Sequence, residues 1–160
     1  MNDNENILIW EAYKPINSIT IYPDTGEFEE VLDDLQIDYS DFYNEIDNIV
    51  ANSGINILSD KSLYAVSFNK SDNDIIGVLY VSVINDEFSF DIVINPKYQG
   101  KGFGKKLIDN AISEYNSLKD AYPDLTIVVD VVNPNLVKHL QKIGFKTINQ
   151  YSNRSIMKYE

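Results

Sequence analysis

Three β-rich segments in the middle of the chain limit the folds open to it more than any other feature. They cover residues 63–68, 75–84 and 88–94 and are rich in β-branched and aromatic side chains. Only short polar connections separate them, first residues 71–74 and then Asn85-Asp86. Strands joined by such short turns pair in antiparallel fashion. The middle of the chain is therefore predicted to form a three-stranded antiparallel meander.

Helices and further strands are predicted on both sides of the meander. At least one of the apolar segments 7–10 and 19–22 should be a strand, and two short amphipathic helices follow, the second ended by Gly54. After the meander we expect helix, strand, helix, strand and strand, at residues 103–118, 125–132, 135–143, 145–148 and 156–159. The segment 125–132 is almost continuously apolar, which predicts a strand covered on both faces. This order, β-α-α-β-β-β-α-β-α-β-β, indicates an α/β (α+β) fold with a mixed sheet and helices on its faces.

Length and composition narrow the class of protein. A chain of 160 residues with 44% hydrophobic content suits one domain, so residues 1–160 are predicted to be a single domain. No apolar run is long enough to cross a bilayer and the first residues are acidic, so a cytoplasmic protein without a membrane partner is expected. The chain has no cysteine and only His139 as histidine, which excludes thiol chemistry and predicts no metal site.

Charge is unevenly distributed along the sequence. The net charge of -12 argues against nucleic acid as a partner, because a phosphate backbone would be repelled. Between Lys14 and Lys61 there are many acidic residues and no lysine or arginine. By contrast, the stretch between Asp91 and Asp109 contains no acid and four lysines, Lys97, Lys101, Lys105 and Lys106. Positive charge concentrated in an acidic protein favours an anion site there.

A glycine-rich turn coincides with those lysines. A strand ending at Ile94 is followed by a turn and then by Gly100, Gly102 and Gly104 at the start of a helix. Glycines let the backbone approach a ligand, and the amides of a helix N-terminus attract anions. A P-loop needs a different spacing, and a Rossmann turn needs its third glycine where Lys105 stands. The turn therefore predicts an anion site of another type.

The segment from Ile92 to Gly104 resembles the GNAT superfamily of N-acetyltransferases. It is similar to that family's fourth strand followed by its Arg/Gln-x-x-Gly-x-Gly/Ala signature, here Gln99-Gly100-Lys101-Gly102-Phe103-Gly104. A second similarity begins at Asn133 and ends at Gly144-Phe145, spaced like the helix and Gly-Phe pair after the family's fifth strand. The two similarities together cover roughly the last 75 residues. The resemblance implies the GNAT fold, with a mostly antiparallel sheet of six to seven strands.

The resemblance also implies acetyl-CoA as co-substrate. Backbone groups of Ile92, Val93 and Ile94 would pair with the pantetheine arm like an added strand. Amides of the signature segment, with Lys101 and Lys105, would hold the pyrophosphate, and Asn133 would contact the arm. The resemblance further implies that residues 7–54 of this chain form the acceptor side, and that residues 63–160 form the core sheet with the cofactor motifs.

Catalytic groups are harder to assign from sequence. The family commonly has a tyrosine four residues before the Gly-Phe pair, to serve the leaving thiolate, and here that position is Leu140. The neighbouring His139 points elsewhere on the helix and is expected to be a surface residue, whereas Tyr151, Tyr159 or a water are possible substitutes. For the base, Asp91 on the cofactor strand is preferred, and Asp130, which interrupts the otherwise apolar next strand, is a second candidate. A carboxylate flanked by hydrophobic residues in a strand is costly unless it is paired or used. Glu87 is a weaker candidate.

Two functions fit these observations. The first is an N-acetyltransferase that moves an acetyl group from acetyl-CoA to a primary amine in a ternary complex. The acceptor would be a small-molecule or protein amine, and the acidic residues between Lys14 and Lys61 favour a cationic one, although they also fit a plain solvated surface. The second is an acyl-CoA-binding GNAT-fold protein that acts as an acidic interaction or regulatory module. A monomer or a homodimer fits either function.

Overall fold

A seven-stranded sheet forms the centre of the protein. The computed structural model describes residues 16–23, 28–53, 57, 61–131, 134–152 and 154–159. The strands are β1 (Ser18–Ile21), β2 (Ser62–Asn69), β3 (Asp74–Ile84), β4 (Glu87–Ile94), β5 (Thr126–Val131), β6 (Phe145–Gln150) and β7 (Ser155–Tyr159). The helices are α1 (Phe28–Asp34), α2 (Tyr39–Ser53), α3 (Phe103–Ala121) and α4 (Pro134–Ile143), with a one-turn 3₁₀ helix at Pro96–Tyr98.

The predicted fold class is confirmed, and the described elements follow the predicted order. The strands lie in the order β1-β2-β3-β4-β5-β7-β6. The proposed segment 19–22 corresponds to β1, which the structure places at Ser18–Ile21. Residues 7–10, Gly54 and Asn133 lie outside the described residues.

Strand pairing follows the turns read from the sequence. β2, β3 and β4 pair as an antiparallel meander. The connection between β3 and β4 is the two-residue turn predicted there, since Asn85 and Asp86 have φ of 51° and 62°. Positive φ at both residues is the geometry of the tight hairpin turn that matches strand twist. The pairing of β4 with β5 is parallel, so this is a mixed sheet.

Helices cover both faces of the sheet. On one face, α1 and α2 pack over a cluster that includes Val66, Val78 and Val93. On the other face, α3 and α4 pack over a cluster that includes Leu79 and Phe90. Because neighbouring strand residues point to opposite faces, one strand contributes to both clusters. We refer to these as the α1–α2 face and the α3–α4 face.

The prediction that β5 is covered on both faces was wrong in part. Its side chains alternate between buried and half-buried, with Ile127, Val129 and Val131 buried on the α3–α4 face. Val128 and Asp130, on the α1–α2 face, are only half-buried. The reason is that α2 packs on β3 and β4, beside β5, and so covers its second face incompletely.

No described helix has the length and apolar character needed to cross a membrane.

Candidate active site

β4 and β5 run side by side only at their beginnings. The pairs are Glu87 with Thr126 and Phe88 with Ile127, and no later residue of β4 pairs with β5. Parallel strands that separate leave a wedge-shaped gap between them. The gap exposes the rest of the β4 edge to any ligand that enters it.

The hydrogen-bond alternation of an antiparallel pair shows which backbone groups face this gap. Asn95 N donates to Ile76 O over 2.8 Å, which makes these two residues a hydrogen-bonded pair. Counting back by twos, Val93 and Asp91 direct their backbone groups toward β3. The amides and carbonyls of Ile92 and Ile94 therefore face the gap. In agreement, the Ile94 carbonyl accepts a long 3.4 Å bond from the Gln99 side chain rather than from β3.

The glycine-rich turn places a helix N-terminus beside the gap. Gly100 and Gly102 have φ of 76° and 87°, in the left-handed region that other residues adopt at a cost. No atom lies within 4 Å of an added Cβ at either glycine, so it is the backbone conformation that requires them. Gly102 is the N-cap of α3 and provides no side-chain cap. The first amides of α3 are consequently available to an anion.

A cleft of about 360 Å³ lies in front of these amides. Its lining comes from the end of β4, from the glycine turn and from one side of α4. The lining residues are Ile94, Tyr98, Gln99, Gly100, Gly102, Phe103, Gly104, Lys105, Asn135, Leu136, Lys138, His139 and Lys142. The structure thus brings together most of the predicted signature segment around one cleft.

The lysines near the turn have different surroundings. Lys97 is held away from the cleft by Asp74, at 2.6 Å, and this partner raises the pKa of Lys97. Lys101 lies over the ring of Tyr98, 5.9 Å from its centroid, and is not part of the lining. Only Lys105 of the predicted pair lines the cleft directly.

Two further lysines of the cleft were missed by sequence reasoning. Lys138 and Lys142 lie one turn apart on α4 and both line the cleft. Their spacing of four residues on a helix was the available signal. With Lys105 they give the cleft three cationic side chains, none of which forms an ion pair within the described part of the chain.

His139 is not the surface residue that the sequence suggested. Its side chain is only 20% exposed and lies 3.3 Å from Asp109 of α3, measured from Nε2 to Oδ1. It lines the same cleft as the lysines. The contact depends on how α4 packs beside α3, which local sequence does not encode.

A second cavity, of about 170 Å³, occupies the gap between β4 and β5. It shares Ile94 and Leu136 with the first cleft, so the two adjoin. Most of its lining is apolar, with three polar residues from α2, β4 and β5. The lining residues are Ser53, Phe90, Asp91, Ile92, Ile94, Ile108, Val129, Asp130, Val131, Leu136 and Leu140.

The position of the family's tyrosine does face this cavity. Leu140 is fully buried and belongs to its lining, so the site has an apolar side chain where a hydroxyl would serve a leaving group. Tyr151 and Tyr159, named as substitutes, line neither cavity. Tyr151 instead stacks with Arg154, and Tyr159 with Phe145.

Asp91 has a partner that the sequence did not reveal. Lys61 Nζ donates to Asp91 Oδ2 over 2.6 Å, and the two side chains are only 9% and 10% exposed. The partners are thirty positions apart in sequence. Asp91 is thus half of a buried ion pair at the edge of the gap.

Asp130 lies in the same cavity with different contacts. Its Oδ2 accepts from Arg154 over 3.1 Å, in an exposed contact. Its Oδ1 is buried and has no hydrogen-bond partner among the described residues. Glu87, the weaker base candidate, is exposed at the start of β4, where the two strands are still paired.

Comparison with known families agrees with this geometry. Residues 30–157 match the family model described as an acetyltransferase (GNAT) domain, which is most of the 160-residue chain. The chain belongs to the GNAT acetyltransferase family. This membership makes the protein an acyltransferase. The match includes the glycine turn, both cavities, α2 and most of α1. No curated protein matches the sequence significantly.

Solved structures share the GNAT fold at low sequence identity. Escherichia coli ElaA superposes with a TM-score of 0.58 and 11% identity, over 91% of this chain and 100% of that one. A bacterial toxin gives a TM-score of 0.55 and 14% identity, over 91% of each chain. The PaiA N-acetyltransferase of Thermoplasma acidophilum in complex with coenzyme A gives 0.46 and 20% identity, over 86% of this chain and 80% of that one. The similarity to the first two structures establishes the fold and gives no information on the substrate.

Proposed function

We propose that this GNAT protein transfers an acetyl group from acetyl-CoA to a primary amine. The observation that carries the proposal is the uncapped N-terminus of α3, which begins at a left-handed Gly102 and faces a lysine-lined cleft. That cleft continues into the gap beside β4. An anionic head group followed by a long, narrow arm is the ligand shape that suits this path.

The residues present fit coenzyme A. The first amides of α3, with Lys105 and Lys101 nearby, are placed to hold the pyrophosphate. Ile92 and Ile94 direct backbone groups into the gap, where the amides of the pantetheine arm would pair with them as a neighbouring strand does. The family resemblance implies that Val93 and Asn133 also contact the pantetheine arm. The orientation of the Val93 backbone toward β3 argues for its two neighbours as the pairing residues.

The chemistry requires a neutral amine and a polarised thioester. The amine lone pair attacks the thioester carbonyl carbon, a C–N bond forms, the C–S bond breaks, and one proton leaves the nitrogen. A backbone amide of β4 at the gap, such as that of Ile92, is placed to stabilise the oxyanion. With Leu140 in the cavity, the sulfur leaves as thiolate or takes a proton from water, which a thiol of pKa about 8.5 allows. Asp91 and Asp130, the two carboxylates of the second cavity, are the base candidates predicted from sequence.

The acceptor we propose is a cationic amine, on a small molecule or on a protein. The α1–α2 face supports this, because α1 and α2 carry exposed acids and no lysine or arginine. Negative potential at that face raises the local concentration of a cationic acceptor.

The test is release of free thiol from acetyl-CoA in the presence of a panel of amines. The panel contains n-butylamine, 1,3-diaminopropane, spermidine, lysine and a lysine-rich peptide, and n-butanol is the negative control. We expect turnover with at least one amine and none with the alcohol. A matched Gly102→Ala variant should lose acetyl-CoA affinity while remaining folded.

A second candidate function has one specific observation in its favour. Leu140 removes the usual proton donor from the cavity, as expected of a protein that binds acyl-CoA without turning it over. In that case titration with acetyl-CoA gives binding, whereas the amine panel gives no thiol release. Absence of both binding and turnover would refute the two candidates together.

A further inference from the structure

Asp91 and Asp130 lie at the same level on opposite sides of the gap. At its closed end Glu87 pairs with Thr126 and Phe88 with Ile127. Continuing the same register along both strands brings Asp91 opposite Asp130. Both side chains point to the α1–α2 face, because Val93 lies on that face and Val129 and Val131 lie on the other.

The two carboxylates differ in how many of their oxygen atoms already have a partner. The charge of Asp91 is matched by Lys61 in a buried pair. Asp130 shares only its Oδ2, in an exposed contact with Arg154 whose side chains are 48% and 36% exposed. The buried Oδ1 of Asp130 is the atom left without a described partner. Native proteins satisfy almost all buried polar atoms, so such an exception is explained by an ordered water, an ion, a ligand or a catalytic use.

The surroundings of Asp130 favour a donor that arrives with the substrate. The charged groups on its side of the sheet include Arg154, just before β7, Lys158, which lies opposite Val128 on β7, and the Lys61–Asp91 pair across the gap. Ser53 of α2 is the uncharged polar neighbour of the cavity. The remaining lining is apolar, which strengthens a hydrogen bond to the free carboxylate oxygen.

We propose that Asp130 Oδ1 accepts a hydrogen bond from the attacking nitrogen of a primary amine and takes its proton. The nitrogen gains positive charge as its lone pair forms the bond to the thioester carbon. Its N–H proton then passes to Oδ1, and the thiolate departs with the electron pair of the C–S bond. This interaction is stronger in the transition state than with the neutral amine, which is the condition for catalysis. The proposal rests on the proposed function for its chemistry.

Arg154 is the positioning residue of this arrangement. It holds the Oδ2 atom of Asp130 from the solvent side, which leaves Oδ1 directed to the buried side. Its own guanidinium lies 5.0 Å from the ring centroid of Tyr151, which fixes it further. An Arg154→Lys variant should therefore retain more activity than Arg154→Ala.

The decisive experiment compares Asp130→Asn with Asp91→Asn and with Asp124→Asn, an exposed control on the loop before β5. Initial rates with the best amine of the panel are measured across pH. For Asp130→Asn we expect kcat/KM for the amine to fall by about 100-fold. The KM for acetyl-CoA and the thermal stability should stay unchanged. The deficit should shrink at alkaline pH, where the free amine and hydroxide lessen the need for a base; a merely structural role would not give this profile.

A binding measurement separates this inference from the proposed function. n-Butylammonium chloride is titrated by calorimetry into wild type and Asp130→Asn, both saturated with coenzyme A. Ammonium binding that is lost in Asp130→Asn supports the role of Asp130 in holding the amine, even if no amine is turned over and the proposed function fails. Turnover by wild type with an equally active Asp130→Asn would overturn the inference and leave the proposed function standing. Absence of ammonium binding together with absence of turnover would overturn both.

Discussion

Two ion pairs of this protein have the same length and different surroundings. Lys61–Asp91 and Lys97–Asp74 are both 2.6 Å, but the first is nearly buried, whereas the Lys97 side chain is 59% exposed. Water screens the exposed pair and cannot reach the buried one. An unmatched charge left behind by a substitution is therefore costly only at the buried site.

This difference predicts the stability of lysine variants. Lys61→Met should lower the free energy of unfolding by about 3–5 kcal/mol, because it leaves Asp91 buried without a counter-charge. The double variant Lys61→Met/Asp91→Leu should recover most of that loss, since two apolar side chains need no solvation. Urea unfolding measures both. Lys97→Met is the matched control and should leave stability nearly unchanged; equal effects at Lys61 and Lys97 would contradict the burial argument.

The backbone conformation of Gly102 predicts the effect of a substitution at this single residue. Alanine at a φ of 87° costs about 1–2 kcal/mol, and part of that strain should shift the first turn of α3 away from its ligand. We expect Gly102→Ala to lower stability by that amount and to weaken coenzyme A binding in a calorimetric titration. Gly102→Asn should retain more of both, because asparagine tolerates the left-handed region. Wild-type affinity in the alanine variant would show that the conformation of this residue is not needed.

Residues with a local sequence signal could be predicted, whereas those defined by long-range contacts could not. The glycines, Lys105, Ile92 and Ile94 have local signals, namely spacing and composition, and the structure places them along the two cavities. The partner of Asp91 and the position of His139 were not predicted, because Lys61 is thirty residues from Asp91 and Asp109 is thirty residues from His139. Contacts at such separations exist only after the sheet and helices have packed.

Among the elements, the hairpins and helices were predictable and the gap was not. Asn85-Asp86 sets the β3–β4 turn locally, and α2 begins where Asp38 caps it by accepting from Ser40 N and Asp41 N. The separation of β4 from β5 has no sequence signal of its own within either strand. β5 pairs on its other side with β7, about thirty residues later in the chain, and contacts at that separation form only when the sheet assembles.

The attachment of α2 to β3 gives a pH-dependent prediction. Glu45 of α2 accepts from Ile75 N over 3.2 Å, and burial, with Asp74 nearby, raises its pKa above the usual value despite that bond. A folded-state pKa above the unfolded one means that the folded protein binds more protons, so this contribution to stability is present at low pH and lost as pH rises through the raised pKa.

Glu45→Gln should therefore be more stable than wild type at neutral pH, by less than about 1 kcal/mol because the site is partly exposed. The advantage should disappear on acidification below the unfolded pKa of about 4.3. Urea unfolding across this pH range measures the difference. Glu29→Gln, on the exposed side of α1, is the control and should show no such trend. A Glu45→Gln advantage that grows toward acid would reverse the sign and contradict the assignment.

At the scale of the whole molecule, the overall negative charge contrasts with the positive charge of the first cleft. The net charge of -12 would repel the proposed anionic co-substrate at long range, while the lysines of the first cleft would attract it at short range. The acids of α1 and α2 lie on the opposite face of the sheet from α3 and α4, whose N-terminus and lysines meet that cleft. An anion and a cationic acceptor can thus approach along different surfaces.

The acids of α1 predict that salt slows the reaction of a dicationic acceptor more than that of a monocationic one. The Debye length falls from about 30 Å at 0.01 M to about 8 Å at 0.15 M, so attraction between the acids of α1 and a cationic acceptor weakens over that range. We expect kcat/KM for 1,3-diaminopropane, a dication, to fall more steeply with salt than for n-butylamine. Replacing the exposed Glu29, Glu30 and Asp33 by their amides should flatten the slope for the dication while leaving the rate at high salt unchanged. An unchanged slope in that variant would mean that these acids serve only as a solvated surface, and the acceptor would then need no charge beyond the amine that reacts at the gap.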